Sequence, residues 1–447
     1  SRLSRQGTVP PVPEAVGQLP TKTAAPPSRR AAYWALGVLT AINLLNYLDR
    51  YVVAPLATDL KRDMSLSDTQ LGSLLTAFIL VYMVAAPVFG AWGDRGSRTR
   101  PIALGIGIWS LATMLSGLAH GYPHLLAARA LVGIGEASVV AIAPSLLADL
   151  FPPQRRARVY AILNMAIPVG AALGYVVGGQ VGAHFGWRAA FFVAGAPGIA
   201  LAIASLWLPD PPRGIQDLDT PAAPQSAGLA SAVLSIYRDL FARARFRVVV
   251  LGYAAYTFAL GGLAYWMPTF LERVRGIPKA SAATDFGVIV LATGLVGTLA
   301  GGWLADYLLR YSRQAYLWFS GAVTVLAAPL AWLALAATDR ALYFPAIVAA
   351  ELLLFMSAGP VNAAIVNLVS PLERASAAAL TMIVIHLLGD VPSPILIGSV
   401  SDHLEPRLGE AGALAHAVLM VPAAILIAGI IWLLAARRGI RGAPALS

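Results

Sequence analysis

The chain has 447 residues, 58% of them hydrophobic and 12% charged, with a formal net charge of +10 and no cysteine. A mean hydropathy of +0.71 excludes an ordinary soluble domain, and the missing thiols exclude structural disulfides, thiolate metal sites and c-type haem attachment. The positive charge alone would suit a nucleic-acid partner, a reading that its placement along the chain rejects.

A bilayer core about 30 Å thick takes about 20 apolar residues per helix. The chain reads as twelve such spans, near 32–58, 68–92, 101–120, 124–150, 159–183, 189–208, 248–271, 283–308, 315–337, 342–368, 376–400 and 412–436. The runs are long and continuously apolar, unlike the short alternating strands of a membrane barrel. Ahead of them, residues 1–30 are rich in Pro, Ser and Arg without an apolar core, which predicts a disordered tail and no cleavable signal peptide. If both termini are cytoplasmic, most of the 32 Lys and Arg residues fall on the inner side. That bias fixes the orientation, makes nucleic acid an unneeded partner and leaves anionic headgroup contact as a by-product.

The first span carries Asp49 and Arg50 side by side, with Asn43 and Asn46 on the preceding turns. A charge near the middle of a bilayer costs about 2.5–3.5 kcal/mol, so such groups face a protein interior or a wet cavity and serve a function there. The turn after the second span holds Asp94, Arg98 and Arg100. The fourth span holds Arg129 and Glu136, seven residues apart on one helix face. At 1.5 Å per residue, Asp49 and Glu136 each lie about 15–18 Å from the outer surface, so the two carboxylates and two guanidiniums can meet around one cavity. In the fifth span Gly170, Gly174 and Gly178 recur at four-residue steps, as Gly297 and Gly301 do in the eighth, and permit close helix approach. These six spans make a unit over 31–208. A polar connection follows over 209–247, where Leu229, Val233, Ile236 and Leu240 fall at helical spacing. A short amphipathic helix on the membrane surface and a plain flexible linker remain open there.

The second unit spans 248–436, with a polar tail over 437–447. Asn164, Tyr253, Tyr256, Thr257 and Asn362 are polar enough to line a cavity. Glu351 has no basic neighbour in its own run, and the sequence assigns it no role. His386 and Asp390 can hydrogen-bond at i, i+4; a pH-sensitive pair and a plain interhelical contact are both open. Most tryptophans fall near span ends and read as interface anchors. Only three lysines occur, Lys22, Lys61 and Lys279, and none follows a Walker loop. No HExxH, GxSxG or zinc-spaced cluster appears either, which disfavours ATP hydrolysis and membrane enzymes and calls for no cofactor or metal.

The halves echo each other. Gly90-Ala-Trp-Gly-Asp94, followed by Arg98 and Arg100, recurs as Gly302-Trp-Leu-Ala-Asp306, followed by Arg310 and Arg313. Pro153-Gln-Arg-Arg156-Ala recurs as Pro371-Leu-Glu-Arg374-Ala. A parallel repeat in a membrane protein implies two pseudo-symmetric bundles with the ligand site between them.

The glycine–aspartate–arginine turn and its echo, with Arg129-Ala-Leu-Val-Gly133-Ile-Gly135, resemble the major facilitator superfamily. Asn46-Tyr-Leu-Asp49-Arg50, Gly135-Glu136-Ala137 leading to Pro144, and His386-Leu-Leu-Gly-Asp390-Val-Pro-Ser-Pro394 resemble signatures of its Spinster lipid carriers; Val391-Pro392 departs from the two small residues expected there. The resemblance spans about Asn43 to Asp402. It implies an all-α membrane protein of twelve helices in two six-helix bundles, acting as a secondary transporter and not an enzyme. It further implies proton handling by Asp49 and Glu136, and gating by Asp94, Arg98 and Arg100, repeated by Asp306 and Arg310. The expected substrate is an amphipathic anionic lipid, such as a lysophospholipid or sphingoid phosphate. Arg50, Asn46, Arg129, Tyr253, Tyr256 and Asn362 are the candidate binding residues. A proton-driven monomer in a bacterial inner membrane is expected. Efflux of hydrophobic drugs or small organic anions, a non-transporting lipid sensor and a membrane enzyme are the rival readings.

Overall fold

A computed structural model describes residues 28–216, 229–370 and 373–440; most of the expected tails, the middle of the connection, and Pro371 with Leu372 lie outside them. Helices α1 (Arg29–Val52) and α2 (Ala57–Met64) make the first crossing, joined by a 3-10 turn at Ala54–Leu56. The break within the expected span 32–58 follows from Pro55, which has no N–H to give the preceding turn. Helices α3 (Asp68–Arg95), α4 (Thr99–Gly117), α5 (Tyr122–Leu150), α6 (Pro153–Phe185) and α7 (Trp187–Ser205) complete the first bundle. Helix α3 starts on a reciprocal cap between Ser67 and Gln70, satisfying two N–H groups that a helix start leaves unpaired.

Helix α8 (Leu229–Ala242) occupies the end of the connection, so that stretch is helical and not a plain linker. The second bundle comprises α9 (Ala244–Arg273), α10 (Lys279–Leu308), α11 (Ala315–Ala336), α12 (Arg340–Asn367), α13 (Arg374–Ile385), α14 (Pro392–Ala417) and α15 (Met420–Ile440). The expected continuous span 376–400 is interrupted by a π turn over His386–Asp390. Val391 N–H reaches back to the His386 carbonyl at 3.1 Å, and Pro392 cannot restore the ordinary pattern. Helix α14 breaks at Gly409, whose φ of 70° suits glycine. The break turns the chain between the eleventh and twelfth crossings. Among the described residues, ten helical stretches are long and apolar enough to cross a membrane, and the last of them, Ser376–Arg437, contains both of these crossings. Helix α4, 19 residues long, supplies the remaining crossing.

The duplication is visible in packing. Within the first bundle α1 packs on α6 and α7, α3 on α5, and α4 on α5 and α7; in the second, α9 packs on α14 and α15, α10 on α12, and α11 on α12 and α15. The glycine stripe of α6 serves the first of these contacts. A Cβ at Gly174 or Gly178 would lie 2.5 Å from the carbonyl oxygen of Leu48 or Val52 on α1. Trp34, Trp92, Trp207, Trp303 and Trp332 are exposed, as anchors should be. Trp109, Trp187, Trp266 and Trp432 instead fill the core, a correction to their reading as anchors.

The bundles meet through α3 with α14 and α6 with α10. Every hydrogen bond or ion pair joining them among the described residues lies in the half of the molecule farthest from the start of α1. Arg273 binds Asp68 at 2.8 Å, Lys61 binds Glu405 at 2.8 Å, and Ser401 donates to Asp68 at 2.7 Å. Asp402 accepts the Asp68 N–H at 2.7 Å, the Thr69 N–H at 2.8 Å and the Thr69 hydroxyl at 2.5 Å. Tyr175 donates to the Ala264 carbonyl at 2.7 Å. The seal is one-sided.

Candidate functional site

Asp49 and Arg50 are adjacent, so the helical advance sends their side chains in different directions. Asp49 turns to α4 and α5, where it accepts the Thr113 hydroxyl and the Arg129 guanidinium, the latter at 3.2 Å. Arg50 meets Glu136 at 2.9 Å and lies 4.8, 4.9 and 5.5 Å from the ring centroids of Tyr47, Phe78 and Tyr82. The seven-residue spacing on α5 thus presents Arg129 and Glu136 to α1 as two stacked, oppositely directed ion pairs. Asn46 assists by accepting from Arg50 at 3.4 Å. Asp49, Arg129 and Glu136 are at most 1% exposed, whereas the Arg50 side chain retains 17%.

The cavity between the bundles measures about 620 Å³. Its wall includes Tyr51, Asn164 and Tyr175 from the first bundle, and Thr257, Glu351, Asn362 and Asp390 from the second. The four charges expected around one cavity meet in two pairs but do not line this space. Tyr51, the residue after Arg50, is their link to it. Arg129 is buried against Asp49 and away from the wall. Tyr256 is buried too, donating to the Leu354 carbonyl at 2.7 Å. Tyr253 is buried beside it and accepts from Asn362 at 2.9 Å, which leaves Asn362 as the wall residue of that pair.

Glu351 and Asp390 are the wall carboxylates, and no Lys or Arg stands among the lining residues. Glu351 is 4% exposed and has no cationic partner among the described residues. The sequence offered no signal for it beyond its own charge in an apolar run. Asp390 holds His386 Nδ1 at 2.9 Å, and the π turn presents Asp390 to the cavity.

Arg98 is buried at the turn between α3 and α4. It binds Asp149, Asp210 at 2.7 Å and the Pro211 carbonyl at 2.5 Å. Asp149 also accepts the Gly214 N–H at 2.8 Å, so the stretch after α7 is strapped to the first bundle. Asp94 and Arg100 are exposed, and Asp94 has no ion pair among the described residues. Among the described residues the second copy is bonded differently: Asp306 accepts from Tyr316 at 2.7 Å, and Arg310 lies over Tyr307 at 5.3 Å. Asp68, Asp402 and Glu405 approach one another closely enough to suggest a metal site. Their oxygens are already engaged by Arg273, Lys61, Ser401 and the start of α3, so they form a joint.

The sequence model of the Major Facilitator Superfamily matches residues 39–394. Protein spinster homolog 1 of Mus musculus is 37% identical over 388 residues, covering 82% of this chain and 72% of its own. Protein spinster of Drosophila melanogaster is 34% identical over 394 residues, covering 85% of this chain and 63% of its own. The chain belongs to the Spinster family of the major facilitator superfamily. A crystal structure of a bacterial homolog to the human lysosomal transporter Spinster, inward-facing and unoccupied, superposes with a TM-score of 0.83. It is 25% identical and covers 94% of this chain and 100% of its own. A D-xylose–proton symporter, 16% identical with a TM-score of 0.69 over 92% of this chain and 98% of its own, shares the fold. The Spinster chain described here is an integral, multi-pass membrane transporter.

Proposed function

We propose that this Spinster-family chain moves an amphipathic lipid with a phosphate-bearing headgroup across the membrane by alternating access, coupled to protons. The observation that carries the reading is the 620 Å³ cavity between the bundles, closed by cross-bundle bonds on one side only and one residue away from the buried Arg50–Glu136 pair. With both termini cytoplasmic, the orientation that the arginine distribution favours, the open side faces inward. Leu260, Val290 and Phe355 on the wall suit an acyl chain, and Asn164, Thr257 and Asn362 suit a polar head.

In the closed pair Glu136 occupies Arg50. Proton uptake by Glu136 releases the guanidinium, which can then turn past Tyr51 and bind phosphate oxygens two at a time. Loading of substrate and proton are thereby linked. Glu351 and Asp390, with no Lys or Arg among the lining residues, favour a headgroup that carries an ammonium as well as its phosphate. They also favour a second reading, efflux of hydrophobic cations.

Reconstituted vesicles decide among these. Flux of zwitterionic and anionic lysolipids and of a hydrophobic cation is measured with and without a pH gradient. Gradient-driven flux of a zwitterionic lysolipid, lost in Arg50→Ala, is the expected result. Cation flux without lysolipid competition would establish the second reading, and ligand binding without net flux would make the chain a sensor.

A further inference from the structure

The internal repeat is broken at one charged position. In the first bundle the arginine of the turn, Arg98, meets the carboxylate of Asp149 at the end of α5. Asp149 stands seven residues before Arg156, and the residue seven before Arg374, at the end of α12, is Asn367. The second copy therefore has an amide where the first has an acid, yet it keeps its basic residues. Arg313, Asn367 and Arg245 at the start of α9 line a pocket of about 100 Å³ together with Gln314 and Tyr316, and no Asp or Glu stands on its wall.

Two neighbouring acids are engaged elsewhere. Asp306 accepts from the Tyr316 hydroxyl at 2.7 Å, and Glu373 is held by Arg243 at 3.0 Å. The Arg245 guanidinium donates to the neutral Gln314 amide oxygen, and Arg313 has no hydrogen-bond or ion-pair partner among the described residues. Two guanidiniums on one small hollow repel each other, and no carboxylate on the wall offsets that. The depth of the pocket in the membrane follows from α10. Trp303 and Tyr307 stack at 6.1 Å, Tyr307 and Tyr311 meet at 5.7 Å, and all three are exposed. Exposed Trp and Tyr gather at the headgroup level of a bilayer, so Arg313, two residues beyond Tyr311, lies at the height of lipid phosphates.

We propose that this pocket binds the phosphate of an anionic phospholipid of the inner leaflet, so that the membrane supplies the negative charge that Asp149 supplies in the first bundle. Guanidinium forks match phosphate oxygens in pairs, and the Asn367 amide adds an uncharged donor. The volume is the liquid share of about three waters, enough for a phosphate group and too little for a whole lipid, whose chains stay in the bilayer. No residue belongs both to this wall and to the wall of the cavity between the bundles, so the site is separate from whatever the transporter carries.

The purified full chain in neutral detergent is titrated with phosphatidylglycerol, phosphatidylcholine or soluble glycerol phosphate, with native mass spectrometry and the thermal midpoint as readouts. Wild type is expected to retain one phosphatidylglycerol in preference to phosphatidylcholine. Both arginines are exposed, so Arg245→Gln and Arg313→Gln leave the core intact. Each is expected to weaken that binding about 5-fold and the two together about 30-fold, as one and two basic residues at an anionic surface should. Arg238→Gln, exposed on α8 and outside the pocket, removes the same charge and should change nothing. Asn367→Asp restores the acid of the first copy and is expected to expel the lipid while raising the midpoint of the lipid-free protein. Phosphatidylglycerol binding unchanged in the double arginine variant and in Asn367→Asp would overturn the proposal, as would an equal loss in Arg238→Gln. Glycerol phosphate protecting as well as the lipid at equal concentration would keep the phosphate site and overturn its membrane source.

Discussion

Removing Asp402 should unseal the far side of the molecule. Its carboxylate belongs to the second bundle yet holds the first turn of α3 in the first, accepting from two backbone N–H groups and the Thr69 hydroxyl. Each such bond is worth about 1 kcal/mol net, and an anion at a helix start gains somewhat more from the aligned backbone dipoles. Asp402 is part-exposed, so water takes over some of these donors in Asp402→Ala. The Ser67–Gln70 reciprocal cap keeps α3 itself folded. A net loss of about 2 kcal/mol would shift the balance between sealed and unsealed forms by about 30-fold. The chain has no cysteine, so spin labels can be placed on introduced cysteines at Phe185 and Leu408, both exposed and on opposite bundles. Wild type should give one short distance, and Asp402→Ala a second, longer population. An unchanged distance distribution would refute the view that this cross-bundle cap holds the seal.

Glu351→Gln keeps shape but removes the uncompensated wall charge. If it meets a ligand ammonium, as the proposed function has it, apparent affinity for a zwitterionic lysolipid should fall about 10–100-fold, from the 1.5–3 kcal/mol of a charge-assisted bond, with purely anionic lysolipids less affected. Arg98→Ala leaves Asp149 buried without its cation and should lower the thermal midpoint of the purified protein by an amount corresponding to about 3–5 kcal/mol; a Lys substitution should recover only part, because it cannot span three acceptors. At the loop before α13, hydrogen bonds from Arg243 and Ser370 hold the Glu373 carboxyl down to about 2, below the usual 4.5. A depressed carboxyl contributes its ordering fully above its unfolded value and loses it as pH falls through the folded one. Exchange protection of the Ser370 amide, bonded to Glu373 at 3.1 Å, should therefore be constant from pH 8 to 5 and disappear between about 4.5 and 2. Loss near neutrality would contradict the bonding described.

How far the sequence reached follows from what each residue depends on. Twelve crossings are legible because apolar length alone decides them, and the repeat of Asp94 in Asp306 makes the two-bundle plan legible as well. The breaks at Ala54–Leu56 and His386–Asp390 were masked by continuous apolarity, although Pro55 and Pro392 stood there to announce them. Asp49, Arg50, Arg129 and Glu136 declare themselves by charge in an apolar helix, and the seven-residue spacing correctly places the last two on one face. Which acid meets which base, however, is set by how α5 lies against α1, and no periodicity within one helix encodes that. Thr113 is invisible for a deeper reason. A threonine hydroxyl in an apolar helix can bond the backbone carbonyl of the preceding turn, so nothing marks it until Asp49 is seen to accept from it. Asp402 and Asp68, 334 residues apart, each look like ordinary acids at a span end. A buried charge thus betrays that a site exists, while its neutral partner, supplied by another helix, determines what that charge is free to do.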